Sequence, residues 1–160
     1  MNTSALKSFA PNVRNQLLEA VERKLDYALT ADTPDLREKG TQVASLRRQA
    51  EADRDGLIER AAYTWFNRLA ALRFLDARQW HPFRSRVLTP ATDEETQPEL
   101  LKQFRNGSLP DELSNYADSA RLRDLLDGRL PTGIAGADAQ GEVYRHLILA
   151  VCRYYHTLMP

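Results

Sequence analysis

The 160-residue sequence is poor in cysteine and has no long apolar run. Its one cysteine, Cys152, has no partner for an internal disulfide, and its apolar neighbours predict a buried, unreactive thiol. An apolar run of about 18 residues, which a membrane-spanning helix requires, is absent. Residues 1–7 also lack the basic and apolar regions of a signal peptide, so we expect a cytoplasmic location and no membrane partner.

The sequence has no excess of charge of either sign, because 22 Lys and Arg residues balance 22 Asp and Glu residues. The distribution is uneven: residues 1–90 hold 15 basic and 11 acidic residues, whereas residues 91–160 hold 7 and 11. Arginine outnumbers lysine 18 to 4, and arginine suits phosphate and base contacts. A GC-rich genome would give the same bias. We therefore expect any DNA binding to be weak, salt-dependent and independent of sequence.

Apolar residues recur at spacings of three and four, and strand-like alternation is confined to stretches of about five residues or fewer. This pattern predicts an all-α fold, a bundle of about six helices with at most one short extended segment, at Arg84–Thr89. Pro11 can occupy the first turn of the first helix, and Thr33-Pro34-Asp35 is a typical helix start. The predicted helices cover about 12–30, 34–52, 53–77, 97–105, 111–127 and 138–158.

The third predicted helix is apolar on almost all sides between Leu57 and Leu75, which is typical of a helix surrounded by others. We expect its aromatic residues Trp65, Phe66 and Phe74 to be packed in the core. The exceptions form one polar stripe at helical spacing, made by Arg60, Thr64, Asn67 and Arg68. Such a stripe can contact DNA or another domain, and we favour contact with another domain.

No catalytic or metal site emerges from the residue spacing. His81, His146 and His156 do not follow a metal-ligand spacing, so structural roles are favoured for them. Asp35, Glu38 and Lys39 are close to a nuclease motif, but the Glu-x-Lys spacing is missing. We therefore predict no catalytic residue, no cofactor-binding residue and no metal ligand.

Two stretches resemble the PglX family, the adenine-specific DNA methyltransferases of BREX phage-defence systems. Residues 63–68, Tyr-Thr-Trp-Phe-Asn-Arg, match a string of that family, and residues 71–76, Ala-Leu-Arg-Phe-Leu-Asp, continue it. After a turn, residues 86–89, Arg-Val-Leu-Thr, resemble the family's Arg-Val-Leu-Ser-type segment. The first residues and the last six are also similar to family sequences, whereas residues 91–137 match nothing.

The resemblance implies a helical domain ahead of a Rossmann-like domain that binds S-adenosylmethionine and methylates adenine N6. The motifs of that second domain are absent: no Gly-x-Gly and no Pro-Pro occur, and Gly133 and Gly136 lie in a loop that no strand precedes. We therefore interpret residues 1–160 as one helical N-terminal domain of a larger enzyme. This domain would be non-catalytic, whereas the full protein would be an enzyme that uses S-adenosylmethionine.

The resemblance implies three partners: the downstream methyltransferase domain, DNA bound weakly, and other BREX proteins. The residues expected to contact nucleic acid or the neighbouring domain are Arg60, Asn67, Arg68, Arg84 and Arg86. Two alternatives stay open. The chain could be a stand-alone helical domain that binds other proteins, or the N-terminal domain of a restriction–modification methylase subunit.

Overall fold

The computed structural model describes the backbone of residues 3–133 and 138–156, and the side chains of these residues apart from 3–10 and Asp35. Within those ranges the chain is helical and contains no strand, which confirms the predicted all-α class. The α-helices of this part of the chain are α1 (Thr3–Thr30), α2 (Pro34–Glu38), α3 (Gly40–Arg78), α4 (Glu99–Arg105), α5 (Ser119–Leu126) and α6 (Ala139–Tyr154), and a 3-10 helix spans Asp111–Leu113.

The chain forms two compact units, residues 1–67 and residues 68–160, and the boundary between them falls inside α3. The first unit therefore contains α1, α2 and the first part of α3. The second unit contains the end of α3 and all later helices. The grouping of residues 1–160 into one domain stays a prediction.

The helix starts of the first unit follow local signals, but two predicted bounds are wrong. Pro11 lies inside α1, which already begins at Thr3, and not in its first turn. Thr33 caps α2 as predicted, because its hydroxyl accepts the Leu36 N–H at 3.4 Å. That helix ends at Glu38 and does not continue to residue 52. Lys39 separates it from Gly40, the first residue of α3, and glycine weakens a helix by roughly 1 kcal/mol relative to alanine.

A kink divides α3 at Asp53, whose φ of −160° and ψ of 82° are not helical. The Asp53 Oδ1 accepts the Gly56 N–H at 2.9 Å, so the carboxylate caps the second part of α3. This geometry confirms the predicted helix start at residues 53–55. It also favours glycine at position 56, because a Cβ there would lie 2.0 Å from the Asp53 Oδ2.

The prediction that α3 is covered on all sides between Leu57 and Leu75 is wrong. Tyr63 is 69% exposed, Phe74 50% and Phe66 39%, whereas Ile58 and Leu72 are buried. Only one face of the helix is covered. An apolar composition on every side does not reveal which faces other elements reach. Phe66 and Phe74, which were predicted in the core, lie on open faces, whereas Trp65 is half-buried.

In the second unit, α6 packs against α4, α5 and the 3-10 helix. The core is made by fully buried side chains of these elements and of α3, namely Leu72, Leu100, Phe104, Leu113, Val143, Leu147 and Val151. Cys152 is also buried, as predicted, and burial raises the pKa of its thiol. The core thus surrounds α6, which begins at a carboxylate cap formed by Asp138.

The prediction of a single helix over residues 111–127 is wrong. The chain forms the 3-10 helix, then a turn, and only then α5. Asp118 starts α5 because its Oδ1 accepts the Arg121 N–H at 3.0 Å. The predicted end at Gly128 agrees with the structure, since this glycine has a φ of 73°, the left-handed conformation common after a helix. The predicted end of the last helix at residue 158 lies outside the described residues.

Candidate functional site

A buried carboxylate near the end of α3 organises the segment that follows the helix. Asp76 is 1% exposed. Its Oδ1 accepts the Val87 N–H at 2.7 Å, and its Oδ2 accepts the Leu88 and Thr89 N–H groups at 2.8 and 3.0 Å and the Thr89 hydroxyl at 3.1 Å. One side chain therefore holds the far end of the segment 79–90, which we call the arginine loop.

The ring of His81 completes this buried network. Its Nε2 lies 2.9 Å from the Asp76 Oδ1, and its Nδ1 lies 3.0 Å from the hydroxyl of Tyr155 in the second unit. An ionised carboxylate only accepts, so Nε2 donates to Asp76. The ring also stacks on Phe83 with centroids 4.9 Å apart. His81 is thus a structural histidine, as the sequence indicates, and it fixes the near end of the arginine loop.

Burial and hydrogen bonding shift the pKa of Asp76 in opposite directions, whereas burial dominates at Tyr155. Burial alone would raise the pKa of the Asp76 carboxyl, but the hydrogen bonds from His81, Val87, Leu88 and Thr89 outweigh it and hold the pKa below its ordinary value. For Tyr155, burial raises the pKa to about 12. Asp76 is therefore a carboxylate and Tyr155 a neutral phenol near neutral pH.

Further hydrogen bonds join the arginine loop to α4 and α6. The Tyr144 hydroxyl donates to the Val87 carbonyl at 3.0 Å. The Glu99 Oε2 accepts the Arg86 N–H at 3.0 Å, and the Leu100 N–H donates to the Arg86 carbonyl at 3.0 Å. Every residue from 86 to 89 takes part in such contacts, so hydrogen bonds hold this part of the loop although it lacks regular secondary structure.

A polar groove of about 410 Å³ lies along this loop. Gln79 and Arg84 at its wall both adopt positive φ, 54° and 50°. Gln79 has this conformation because it follows the end of α3, whereas at Arg84 it is uncommon for a non-glycine residue. The groove is lined by Gln79, His81, Arg84, Ser85, Arg86, Ala91 and Glu99.

The charges presented near the groove are mostly positive. Residues 68–90 contain five arginines and a single acidic residue, the buried Asp76. Arg84 is exposed, and Arg86 is half-buried with its Nη1 donating to the Pro90 carbonyl at 3.0 Å. Glu99 also lines the groove, but it is half-buried and already accepts hydrogen bonds from Arg86 and Gln103. This arrangement suits an anionic group.

The structure brings together only part of the predicted contact set. Arg84 and Arg86 line the same groove. Arg60 and Asn67 belong to the first unit, where Arg60 pairs with the Asp53 carboxylate at 3.1 Å and Asn67 is exposed. Arg68 belongs to the second unit and is half-buried. The polar stripe on α3 therefore crosses the boundary between the units.

Asp76, the centre of the network, is a residue that the sequence pattern does not predict. Asp76 makes five hydrogen bonds, and its partners lie five to thirteen positions further along the sequence. No periodic pattern in the sequence indicates these contacts. The stretch Trp80-His81-Pro82-Phe83 after a helix was the available signal, because buried aromatic and histidine side chains need partners.

The first unit has a separate groove of about 260 Å³, which is mainly apolar. A salt bridge of 2.7 Å between Arg14 and Glu59 lies beside it. The lining residues are Arg14, Leu17, Leu18, Glu59, Ala62, Tyr63 and Phe66.

The described residues contain neither a metal-binding cluster nor a membrane-spanning helix. No group of three or more His, Cys, Asp or Glu side chains is arranged to hold a metal ion in residues 3–133 and 138–156. No helix within these ranges is both long and apolar enough to span a membrane.

The sequence is similar to two adenine-specific methyltransferases. It is 27% identical over 169 residues to the adenine-specific methyltransferase PglX of Lacticaseibacillus casei (strain Zhang), an alignment that covers 86% of this chain and 14% of that protein. It is 30% identical over 167 residues to the adenine-specific methyltransferase BrxX of Escherichia coli O9:H4 (strain HS), covering 81% and 13%. The chain thus spans about one seventh of the length of these relatives. No protein-family model matches it, and no solved structure does.

Proposed function

We propose that this chain, which over its length belongs to the PglX family of adenine-specific methyltransferases, is a non-catalytic helical module that positions DNA for the methyltransferase domain of the same protein. In the full protein, that domain would transfer a methyl group from S-adenosylmethionine to adenine N6 within a BREX phage-defence system. The module would support the domain and contribute phosphate contacts.

The non-catalytic role is supported by the sequence. Neither a Gly-x-Gly loop nor a Pro-Pro dipeptide occurs in the 160 residues. A glycine-rich loop after a strand is the usual cofactor-binding element of Rossmann-like domains. We accordingly assign cofactor binding and methyl transfer to the rest of the protein.

The observation that carries the DNA-positioning role is the groove on the arginine loop. The Asp76 network fixes the loop backbone, so the Arg84 and Arg86 side chains start from defined positions. Phosphate contacts of this kind position a protein on DNA without reading its sequence. We expect an affinity no tighter than the roughly micromolar range of non-specific binding, because the net charge is zero.

A second candidate function is the docking of another protein on the first unit. The apolar groove beside Tyr63 and Phe66 supports it, since both aromatic side chains are partly exposed there. Another BREX protein would be the partner in that case.

A gel-shift titration of the chain with a short mixed-sequence duplex at about 50 and 200 mM salt tests the proposal. Contacts to phosphates release counterions, so we expect binding to weaken steeply with salt and to be equal for an unrelated duplex. Binding that is sequence-selective and insensitive to salt would mean that the module reads bases. The absence of binding at low salt would contradict the positioning role.

Calorimetry with S-adenosylmethionine tests the non-catalytic assignment independently. We expect no saturable heat from the isolated chain, because the motifs that bind the cofactor are absent from its sequence. Tight, saturable binding would contradict the assignment.

A further inference from the structure

We infer that Phe74, Arg78 and Trp80 form a stacking surface for an unpaired nucleobase of DNA. We call these three residues the aromatic platform. The inference rests on the proposed function, because it names the part of the DNA that the module would contact beside the phosphates.

The platform is an exposed aromatic cluster in the second unit. Phe74 is 50% exposed and Trp80 is 61% exposed. Their ring centroids lie 5.7 Å apart, and the rings meet edge to face at 81°. The Arg78 guanidinium carbon lies 5.6 Å from the Phe74 centroid and 5.8 Å from the Trp80 centroid. Two large aromatic rings are therefore partly exposed to solvent, next to the positive charge of Arg78.

The backbone at the end of α3 fixes the position of Trp80. The Trp80 N–H donates to the Leu75 carbonyl at 3.0 Å and the Gln79 N–H to the Asp76 carbonyl at 3.1 Å. With Gln79 at a φ of 54°, these bonds form the Schellman motif that commonly ends helices. The aromatic platform therefore lies at the end of α3, where the arginine loop begins. Asp76 contacts both ends of that loop: its backbone carbonyl accepts the Gln79 N–H, and its carboxylate accepts the N–H groups of residues 87–89.

The Schellman motif alone does not explain the platform. This motif frequently includes an apolar contact between the residue that follows the helix end and a residue in the last turns of the helix. Here Trp80 and Phe74 make that contact. A leucine would satisfy that contact with a smaller exposed surface. Two large rings with accessible area exceed what the helix end requires, so we assign them a binding role.

The surrounding charge favours nucleic acid as the occupant. Arg73, Arg78 and Arg84 are exposed, and the only acidic residue between positions 68 and 90 is buried. Surfaces that bind single strands usually combine aromatic rings with arginines. Every base has a π face that can stack on a ring, and each nucleotide has a phosphate that can pair with an arginine. The faces of paired bases are covered by their neighbours in the duplex. The platform therefore suits a base that is not stacked in a helix.

The test compares a single-stranded oligonucleotide of thymidines with a duplex of mixed sequence, using the whole chain. The sequence contains two tryptophans, so a Trp65→Phe background leaves Trp80 as the only tryptophan reporter. We expect the single strand to quench the Trp80 fluorescence in a saturable way. Trp80→Leu, made in the wild-type chain, keeps the apolar contact at the helix end but removes the stacking ring.

We expect Trp80→Leu to weaken single-strand binding by roughly tenfold, the usual scale for losing one stacked base, and to leave duplex binding within about twofold. Tyr63→Leu is the matched control, because it removes an equally exposed aromatic ring of the first unit. The control should bind both oligonucleotides as the wild type does.

Other outcomes separate this inference from the proposed function. If the chain binds the duplex but Trp80→Leu does not change its affinity for the single strand, the inference about the aromatic platform is wrong and the positioning role is unaffected. Failure to bind either oligonucleotide would overturn both. If Trp80→Leu instead abolished self-association in sedimentation experiments without changing oligonucleotide affinity, the surface would be a protein interface and the inference would be wrong.

Discussion

Asp76 accepts two hydrogen bonds from Thr89, one from its backbone N–H at 3.0 Å and one from its hydroxyl at 3.1 Å. This pair joins the end of α3 to the end of the arginine loop, and both residues fall within the stretches that resemble the PglX family. The two stretches are separate in sequence, but they form one hydrogen-bonded unit that presents the groove.

Asp76→Asn should destabilise the chain by about 2 kcal/mol or more. The amide can supply one acceptor oxygen, whereas both carboxylate oxygens are used by buried donors, and a buried donor without an acceptor costs roughly 1–3 kcal/mol. Urea unfolding measures the change. Asp118→Asn is the control, since asparagine caps helices as well as aspartate, and it should stay within about 0.5 kcal/mol of the wild type. Equal stabilities of both variants would contradict the central role of Asp76.

The lowered pKa of Asp76 predicts acid sensitivity. A carboxyl whose pKa is lower in the folded state contributes stability above its unfolded pKa of about 3.9, and this contribution is lost as the pH falls through the folded value. We expect the free energy of unfolding to decline below about pH 4. The decline should be shallower in Asp76→Asn. Identical pH profiles for the two proteins would show that another group controls the acid transition.

Leu72→Ala should cost about 2–5 kcal/mol, because Leu72 has no exposed surface and truncation leaves a cavity. Phe66→Ala should cost much less, since Phe66 is 39% exposed. Thermal or urea unfolding of both variants measures the difference. A larger loss for Phe66→Ala would mean that the aromatic side chain is covered in the folded protein, as its sequence pattern suggested.

Local signals in the sequence predicted much of this fold. The caps at Thr33 and Asp53 were predictable because a capping side chain binds an amide only three residues away. The same signal is present at Asp118, inside the region predicted as one helix over 111–127. By contrast, the exposure of Phe66 and Phe74 depends on which elements cover α3, and the apolar pattern of one helix does not contain that information.

The candidate site was predictable only in part. Arg84 and Arg86 belong to the predicted contact set, and the structure places both on one groove. Their contact with DNA stays a prediction. The role of Asp76 was not predictable, because its partners lie in a loop without periodicity and the bonds form only after α3 and the loop have folded against each other.

The most direct test of the positioning role compares Arg84→Gln with Arg23→Gln in the duplex titration. Both variants lose one positive charge from an exposed arginine, but only Arg84 lines the groove. We predict that Arg84→Gln weakens binding severalfold and lowers the slope of log affinity against log salt by about one, the effect of one lost phosphate contact, while Arg23→Gln leaves both quantities unchanged. Equal effects of the two substitutions would show that only net charge matters, and they would contradict the assignment of DNA contact to the groove.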